Sequence, residues 1–372
     1  MVSAEVIIVG AGIAGASLAA ELAPHARVVL VEAETYPGYH TTGRSAAFWA
    51  ETYGGAAIQP LTSASGEWLR RPPEGFAAGG YLSDRGALMI ADDAGRPSLD
   101  ALIAEFDVSG VGLVPLDRAA IERVLPGARR GYDRGLAEPS CSDIDVAALH
   151  ADYLRAARRG GARIVLDQRI EAIRREPGGW HLASRSEAFS AAIIVDAAGA
   201  WADELAAMAG ARPLGIAPYR RTVSQLAIEP AAPAAMPLVI DAGGLFYFKP
   251  AAGGRLWLSP HDETPSPPCD AAPEEIDVAT AIHRMQQAVD WSVRRVERSW
   301  AGLRSFAPDR APVYGFDATT PGFFWFAGQG GFGIQTAPAA AMIGAALLLG
   351  RTPPPPVAGI DLSRYAPSRF ST

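Results

Sequence analysis

The chain has 372 residues, 49% apolar and 20% charged, enough for a real core in one large or two ordinary domains. A formal charge of −7 argues against a nucleic-acid partner, because phosphate binding needs a basic surface. Its basic residues are arginines except for Lys249, and Cys141 and Cys269 form neither a zinc spacing nor a disulfide framework. No metal site is expected, and a reducing compartment is the default.

The first elements read strand, turn, helix, strand. Glu5 to Val9 is a continuous apolar run, as in a strand buried on both faces. Gly12 to Ala23 is rich in small helix formers, Pro24 stops it, and Arg27 to Val31 is a second buried strand. Val6 to Ala23 lacks the basic flank of an export signal. Between the two strands runs Gly10-Ala11-Gly12-Ile13-Ala14-Gly15, a G-x-G-x-x-G. Gly10 allows the tight turn, Gly12 admits a pyrophosphate close to the backbone, and Gly15 lets helix pack on strand. Glu32 ends the second strand 17 residues after Gly15, where a carboxylate accepts hydrogen bonds from an adenosine ribose. A lone G-x-G-x-x-G is a weak signal. With both strands and the terminal acid it points to a dinucleotide, since a glycine turn of no function leaves Glu32 unexplained.

Further along, His40 to Gly55 reads as a polar loop, and one or two short strands fall around Tyr81 to Ile90. Asp145 is placed to cap a helix from Val146 to Arg159, which Gly160 and Gly161 end. Arg163 to Leu166 returns as a strand, Gln168 to Arg175 and Trp180 to Ala183 alternate like antiparallel strands, and Ala192 to Val195 is buried again. From Arg220 to Ser259 the pattern is strand after strand, with turns at Ala242–Gly244 and Ala251–Gly254. Ile276 to Val289 reads as a helix, and Gly322 to Ala327 as an aromatic strand before a glycine cluster and an apolar helix. That last stretch, Ala337 to Gly350, is about 14 residues, short of the roughly 20 that span a bilayer. A soluble, cytoplasmic protein without a transmembrane segment is expected.

Parallel elements thus open, centre and close the chain, with antiparallel ones between. The expected fold is α/β (α+β overall), in two interleaved domains. A doubly wound, Rossmann-like dinucleotide domain takes residues 1–80, 141–213 and 301–372. A mainly antiparallel substrate domain takes 81–140 and 214–300.

The fingerprint does not separate NAD from FAD; the later segments do. Ile193 to Trp201, IIVDAAGAW, is a buried strand ending in small residues and Gly199. Ala327 to Thr336, AGQGGFGIQT, follows a strand and opens a helix at about Ala337. Amides at a helix start favour negative charge, which suits a reduced flavin, anionic around N1 and the C2 carbonyl.

At this point the chain resembles the D-amino acid oxidase superfamily of FAD-dependent amine oxidoreductases, and within it bacterial D-arginine dehydrogenase and other D-amino acid dehydrogenases. The matching stretches are VIIVGAGIAGASLAAEL, PGYHTTGRSAA, SDIDVAALHADYLRAARRGGARI, DAAGAWADELAAMAG, LFYFKP, SWAGLRSFAPD and GFFWFAGQGGFGIQT. They cover nearly the full length. The resemblance implies non-covalent FAD held by Gly10, Gly12, Ile13, Ala14, Gly15, Glu32 and Ala33, with Thr41, Thr42, Gly43, Arg44, Ser45, Ala46 and Ala47 around the pyrophosphate and flavin edge. Ile170 matches a backbone contact to the adenine, and Gly199 and Trp201 belong to a matching segment. Gly302 to Arg304 and Gln329, Gly330, Gly331, Phe332, Gly333, Ile334, Gln335 and Thr336 match segments lining the flavin ring.

For substrate, the resemblance implies that Arg221, Arg304, Tyr53 and Tyr247 hold an α-carboxylate and that the Gly331 carbonyl accepts from the amino group. The residue types suit the task, because arginine offers a fixed fork of donors and tyrosine hydroxyls complete the shell. Plainer roles compete. Arg220 and Arg221 are adjacent on a strand, so one faces away as a surface charge. Tyr247 in FYF also fits strand core, whereas Tyr53 lies in a loop, where function concentrates. His40 suits structural hydrogen bonding better than catalysis.

Two positions depart from D-arginine dehydrogenase. Its histidine is Phe48 here, and its glutamate for the guanidinium is Ala87. An arginine side chain would lose its counter-charge, and a buried unpaired cation is costly. The expected pocket is apolar or aromatic, lined by Phe48, Trp49 and Phe246 beside Ala87.

The implied reaction is hydride transfer from Cα to flavin N5, giving an imino acid that hydrolyses to a 2-oxo acid and ammonia. A secondary amine or imino acid, sarcosine- or proline-like, is the alternative substrate. A flavoprotein without turnover, serving a partner, is the third possibility. The position of the oxygen-activating lysine of sarcosine-type oxidases falls near Trp257, and Lys249 is not expected to replace it. A dehydrogenase using a quinone-like acceptor is therefore expected before an oxidase using oxygen, and a monomer before an oligomer.

Overall fold

A computed structural model describes residues 2–370. Its centre is a six-stranded sheet in the order Arg163–Val165, Val28–Val31, Val6–Val9, Ile193–Asp196, Phe323–Ala327, Val313–Phe316. The first five strands run parallel and the last pairs antiparallel at the edge. Val6–Val9, Val28–Val31 and Phe323–Ala327 are buried along their whole length, which is why they read as unbroken apolar runs.

The two faces of this sheet are covered differently. On one, Val6, Ile8, Leu30, Val195 and Phe324 pack against the helices Ile13–Leu22, Val146–Arg159 and Ala337–Leu349. On the other, Ile7, Val29, Val31, Ile194 and Trp325 meet the short helix Ala202–Met208 and a second sheet. That sheet has the order Val2–Ser3, Ala188–Ala191, Gly179–Ser184, Ile170–Glu176, and presents Ile173, Trp180, Leu182 and Phe189. Helices lie on both faces, as expected of a doubly wound sheet, but on the second face the short helix shares the cover with a sheet. A small antiparallel sheet excludes water equally well, and nothing in a buried strand specifies what covers it.

A nine-stranded sheet forms the other large layer. Its order is Thr264–Pro265, Ala217–Glu229, Arg255–Ser259, Tyr247–Ala251, Leu238–Asp241, Ala87–Ala91, Arg134–Glu138, Val114–Leu116, with Ser292–Phe306 also paired to Ala217–Glu229. The boundary expected between 300 and 301 lies inside Ser292–Phe306, whose far end reaches the central cleft. Three short strands, Phe48–Trp49, Ser142–Ile144 and Leu82–Asp84, make a bridge between the layers.

Local signals are accurate where they are strong. The helix Val146–Arg159 starts with the Asp145 carboxylate accepting from Ala148 N at 2.9 Å and ends at Gly160. The helix Gln59–Arg70 is absent from the sequence reading. Its QPLTSASGEWLR is poor in strong helix formers, but Leu61, Trp68 and Leu69 bury one side of it in the core. Arg96–Phe106 is a second such helix, anchored by Leu99 and Phe106. The expected loop His40–Gly55 contains a helical turn, Thr42–Arg44, and the strand Phe48–Trp49.

Candidate functional site

A cleft of about 1870 Å³, its open mouth included, runs from the first strand–turn–helix to the far end of Ser292–Phe306. Gly10, at φ +105°, sits where a Cβ would collide with Ala197 O, and a Cβ on Gly15 would collide with Gly10 O. The turn is therefore pressed on the neighbouring strand and on its own helix, leaving the Gly12 side facing the cleft. Thr42 Oγ1 accepts from Ile13 N at 3.0 Å, tying the loop to the helix start. Glu32 is buried, with one oxygen accepting from Ala11 N at 2.7 Å and the other from Glu34 N at 3.0 Å. These bonds aim the carboxylate along the cleft wall, and each oxygen keeps a lone pair for a further donor.

The loop Thr41–Ala47 forms the roof. Thr41 Oγ1 donates to Leu303 O at 2.6 Å, Arg44 donates to Ala271 O and Ala301 O, and Trp300 Nε1 donates to Arg44 O at 2.9 Å. Gly302 lies beneath, where a Cβ would come 3.3 Å from Arg44 Cβ. Of the residues expected to hold a cofactor, all line the cleft except Gly15, Gly43, Phe332 and Thr336. Gly43 is exposed, and the other three pack behind the cleft; Phe332, for example, meets Tyr53 edge-on at 5.2 Å. Gln168, Arg169, Ala198 and Val223 line the cleft without having been singled out from sequence. His150 was also missed; its ring bonds Ala11 O at 2.9 Å, and burial pushes its pKa down. His40 bonds Glu34 at 2.9 Å.

At the inner end two arginines face each other. In the antiparallel register Arg221 lies opposite Gly302 and Tyr219 opposite Arg304, so Arg221, Gly302 and Arg304 share one face. Arg220 takes the opposite face and pairs with Glu274 and Asp277 at the start of the helix Glu275–Ala288. It is an ion-paired strut with only 12% of its side chain exposed, not the free surface charge expected. Arg304 Nη1 donates to Tyr53 Oη at 3.0 Å, and Arg221 Nε donates to Asp262 O at 2.7 Å. Arg221 Nη1 and Arg304 Nε are buried with no partner. Burial lowers the pKa of Arg304, and the charge of Arg221 adds to that. Burial likewise raises the Tyr247 hydroxyl.

Tyr53 is set by its loop. Glu138 is fully buried and accepts from Glu51 N and Thr52 Oγ1, both at 2.5 Å. Gln335 Nε2 donates to Tyr53 O at 3.0 Å. Phe48 packs edge-on against Tyr53, 4.8 Å between centroids, and against Tyr247 at 6.2 Å. Its neighbour Trp49 does not reach the cleft. Successive residues of a strand point oppositely, so Trp49 enters the core and donates to Thr62 O at 2.9 Å. Phe246 is turned away for the same reason and stacks on Phe248. Ala87 is buried behind the cleft, in the apolar cluster that holds Phe48 and Tyr247. Lys249 pairs with Asp143 at 2.8 Å, donates to Ala47 O at 3.3 Å, and lies 5.3 Å over the Trp257 ring. Neither Lys249 nor Trp257 lines the cleft.

The family model for FAD dependent oxidoreductases, DAO, matches residues 5–347. The chain belongs to this family. FAD is therefore its cofactor, and the glycine turn, Glu32 and the second glycine cluster fit one: a Cβ on Gly330 would collide with Phe306, and one on Gly331 would lie 2.6 Å from Arg304 Nη1. Glycine oxidase of Pseudomonas aeruginosa is 28% identical over 400 residues, covering 98% of this chain and 99% of that one. Hydrogen cyanide synthase subunit HcnC of the same organism is 23% identical over 294 residues, covering 76% of this chain; the match spans 66% of that relative's length. Among solved structures, L-proline dehydrogenase from P. horikoshii shares the fold at a TM-score of 0.85 with 21% identity, covering 100% of this chain and 98% of that one. No helix among the described residues of this FAD dependent oxidoreductase is long and apolar enough to cross a membrane.

Proposed function

We propose that this oxidoreductase oxidises a small α-amino acid with an apolar or aromatic side chain, D-configured, to its imino acid. The observation that carries this reading is the pair Arg221 and Arg304, buried at the inner end of the FAD cleft with unpartnered Nη1 and Nε donors beside Tyr53. Two buried guanidinium groups with free donors suit one planar carboxylate. Tyr53 and Tyr247 orient that carboxylate, and the Gly331 carbonyl accepts from the amine. Phe48 and Val223 supply an apolar wall with no counter-charge for a cationic side chain.

Bound FAD supplies a two-electron acceptor for the hydride that leaves Cα. The protein's residues act by position. They hold the carboxylate, orient the amine at a carbonyl acceptor, and exclude water from the apolar wall. The amine lone pair closes the C=N bond as the C–H bond breaks, and water then hydrolyses the imino acid to a 2-oxo acid and ammonia. The segments 1–80, 141–213 and 301–372 hold FAD in this reading, and 81–140 with 214–300 shape the substrate side. A quinone-type acceptor takes the electrons, since Lys249 is held by Asp143 away from the cleft lining.

A secondary or cyclic amino acid is the second reading. It is favoured by the named activity of one protein of the same fold, L-proline dehydrogenase, whose substrate is a cyclic secondary amine. An anaerobic panel of D-, L-, N-methyl and cyclic amino acids, followed by bleaching of the flavin absorbance, decides between them. Bleaching by apolar D-amino acids supports the first reading, and bleaching by sarcosine or proline alone replaces it with the second. A preference for D-arginine or D-lysine refutes the apolar pocket.

A further inference from the structure

The arginine pair already holds a carboxylate, and it belongs to the chain itself. Glu263 Oε1 accepts from Arg221 Nη2 at 3.4 Å, from Arg304 Nη2, and from Arg310 Nη2 at 2.8 Å; Oε2 takes Arg310 Nη2 at 2.9 Å. One oxygen thus serves three guanidinium groups. The Arg221 and Arg304 side chains are 6% and 9% exposed, that of Glu263 34%, and that of Arg310 48%. Glu263 stands at the boundary between a buried cation pair and an exposed cation.

The backbone that carries it is pinned on both sides. His261 bonds Gly244 O at 3.0 Å and meets the Tyr247 ring edge-on at 5.6 Å. The Asp262 carboxylate accepts from Thr222 N at 2.8 Å and from Thr222 Oγ1 at 3.0 Å, while Asp262 O takes Arg221 Nε. Thr264–Pro265 is paired in register with Tyr219 and Arg220. With the chain fixed before and after, the movable part is the Glu263 side chain, and it has cations on either side.

We propose that Glu263 is a resident counter-anion of the carboxylate clamp, released from Arg221 and Arg304 onto Arg310 when a substrate carboxylate enters, and returned when product leaves. The inference rests on the carboxylate-clamp reading above. Two like charges buried together need an anion. A clamp without its own anion holds substrate and 2-oxo acid product equally well, because both present the same carboxylate, and such uniform binding slows release without aiding chemistry. A competing carboxylate weakens both. Arg310 keeps that carboxylate paired during the exchange, so no charge is left without a partner.

The test is a benzoate titration of the full-length, FAD-loaded protein, followed by the visible flavin absorbance, which needs no turnover. Glu263→Gln removes the competitor and keeps the shape; it tightens benzoate by about tenfold, the scale of one close charge contact. Arg310→Ala weakens benzoate in the wild-type background, because Glu263 then has only the clamp, and has no effect beyond twofold in the Glu263→Gln background. Should Glu263→Gln fail to fold, Glu263→Ser makes the same comparison. Unchanged or weaker benzoate binding in the Glu263 variants overturns the inference and leaves Glu263 an orienting strut. Equal weakening by Arg310→Ala in both backgrounds overturns it too, since Arg310 then acts only through its field. Wild-type binding with no response to Glu263 removes this inference alone; no benzoate binding in any variant removes the clamp reading with it.

Discussion

Arg304→Ala is the sharpest probe of the site. Arg304 lies opposite Tyr219 in a long antiparallel pairing, so its removal leaves the backbone in place. The side chain is nearly buried, bonds Tyr53 Oη at 3.0 Å, and keeps Nε unpartnered. A charge-assisted hydrogen bond contributes about 1.5–3 kcal/mol. Loss of the free donor and of the fork shared with Tyr53 removes about 4 kcal/mol of substrate stabilisation, or about three decades in kcat/KM at roughly 1.4 kcal/mol per decade. Arg304→Lys restores the charge but not the planar fork and recovers about one decade of that. Rapid mixing of the oxidised protein with substrate, without oxygen, reads the effect as a limiting rate and an apparent Kd. The ratio of flavin to protein absorbance in each variant shows that FAD is retained. An Arg304→Ala variant that keeps its FAD and falls within tenfold of wild type refutes the clamp.

Glu138→Ala strips the acceptor from Glu51 N and Thr52 Oγ1, at a cost of about 2–4 kcal/mol in denaturant unfolding. By loosening the loop before Tyr53 it raises KM more than it lowers kcat; an unchanged KM counts against the positioning role. Gly10→Ala forces a Cβ against Ala197 O at φ +105° and abolishes FAD retention on gel filtration, while a yellow, stable variant contradicts the packing argument. His261 has a pKa pushed down to about 3 by burial and by Arg221 and Arg304. The unfolded chain takes up its proton near pH 6.5. The His261 contribution is therefore fully present above pH 6.5 and is lost as pH falls toward 3. At pH 5 wild type should have lost about 1–2 kcal/mol more than His261→Gln in urea unfolding, and parallel pH curves refute this.

What the amino-acid sequence by itself determined is local. The glycine spacing, the two unbroken apolar strands and Glu32 define a dinucleotide turn within some thirty residues, because backbone φ, close approach and strand burial each restrict the residue type directly. The Asp145 cap and the Gly160 stop bound a helix in the same way. Adjacent residues on a strand required Arg220 and Arg221 to part; the resemblance grouped Arg221 with Arg304, and the register with Ser292–Phe306 is what puts the two on one face. The tertiary structure decided which of Phe48 and Trp49 faces the cleft, and that a sheet shares the cover of one side of the core. It also brought Glu263 to Arg221 and Arg304, 42 and 41 residues away, and Glu138 to Thr52, 86 residues away. Such pairings leave no periodic or capping signal. A carboxylate in a loop reads as solvated until the strands on either side place cations around it.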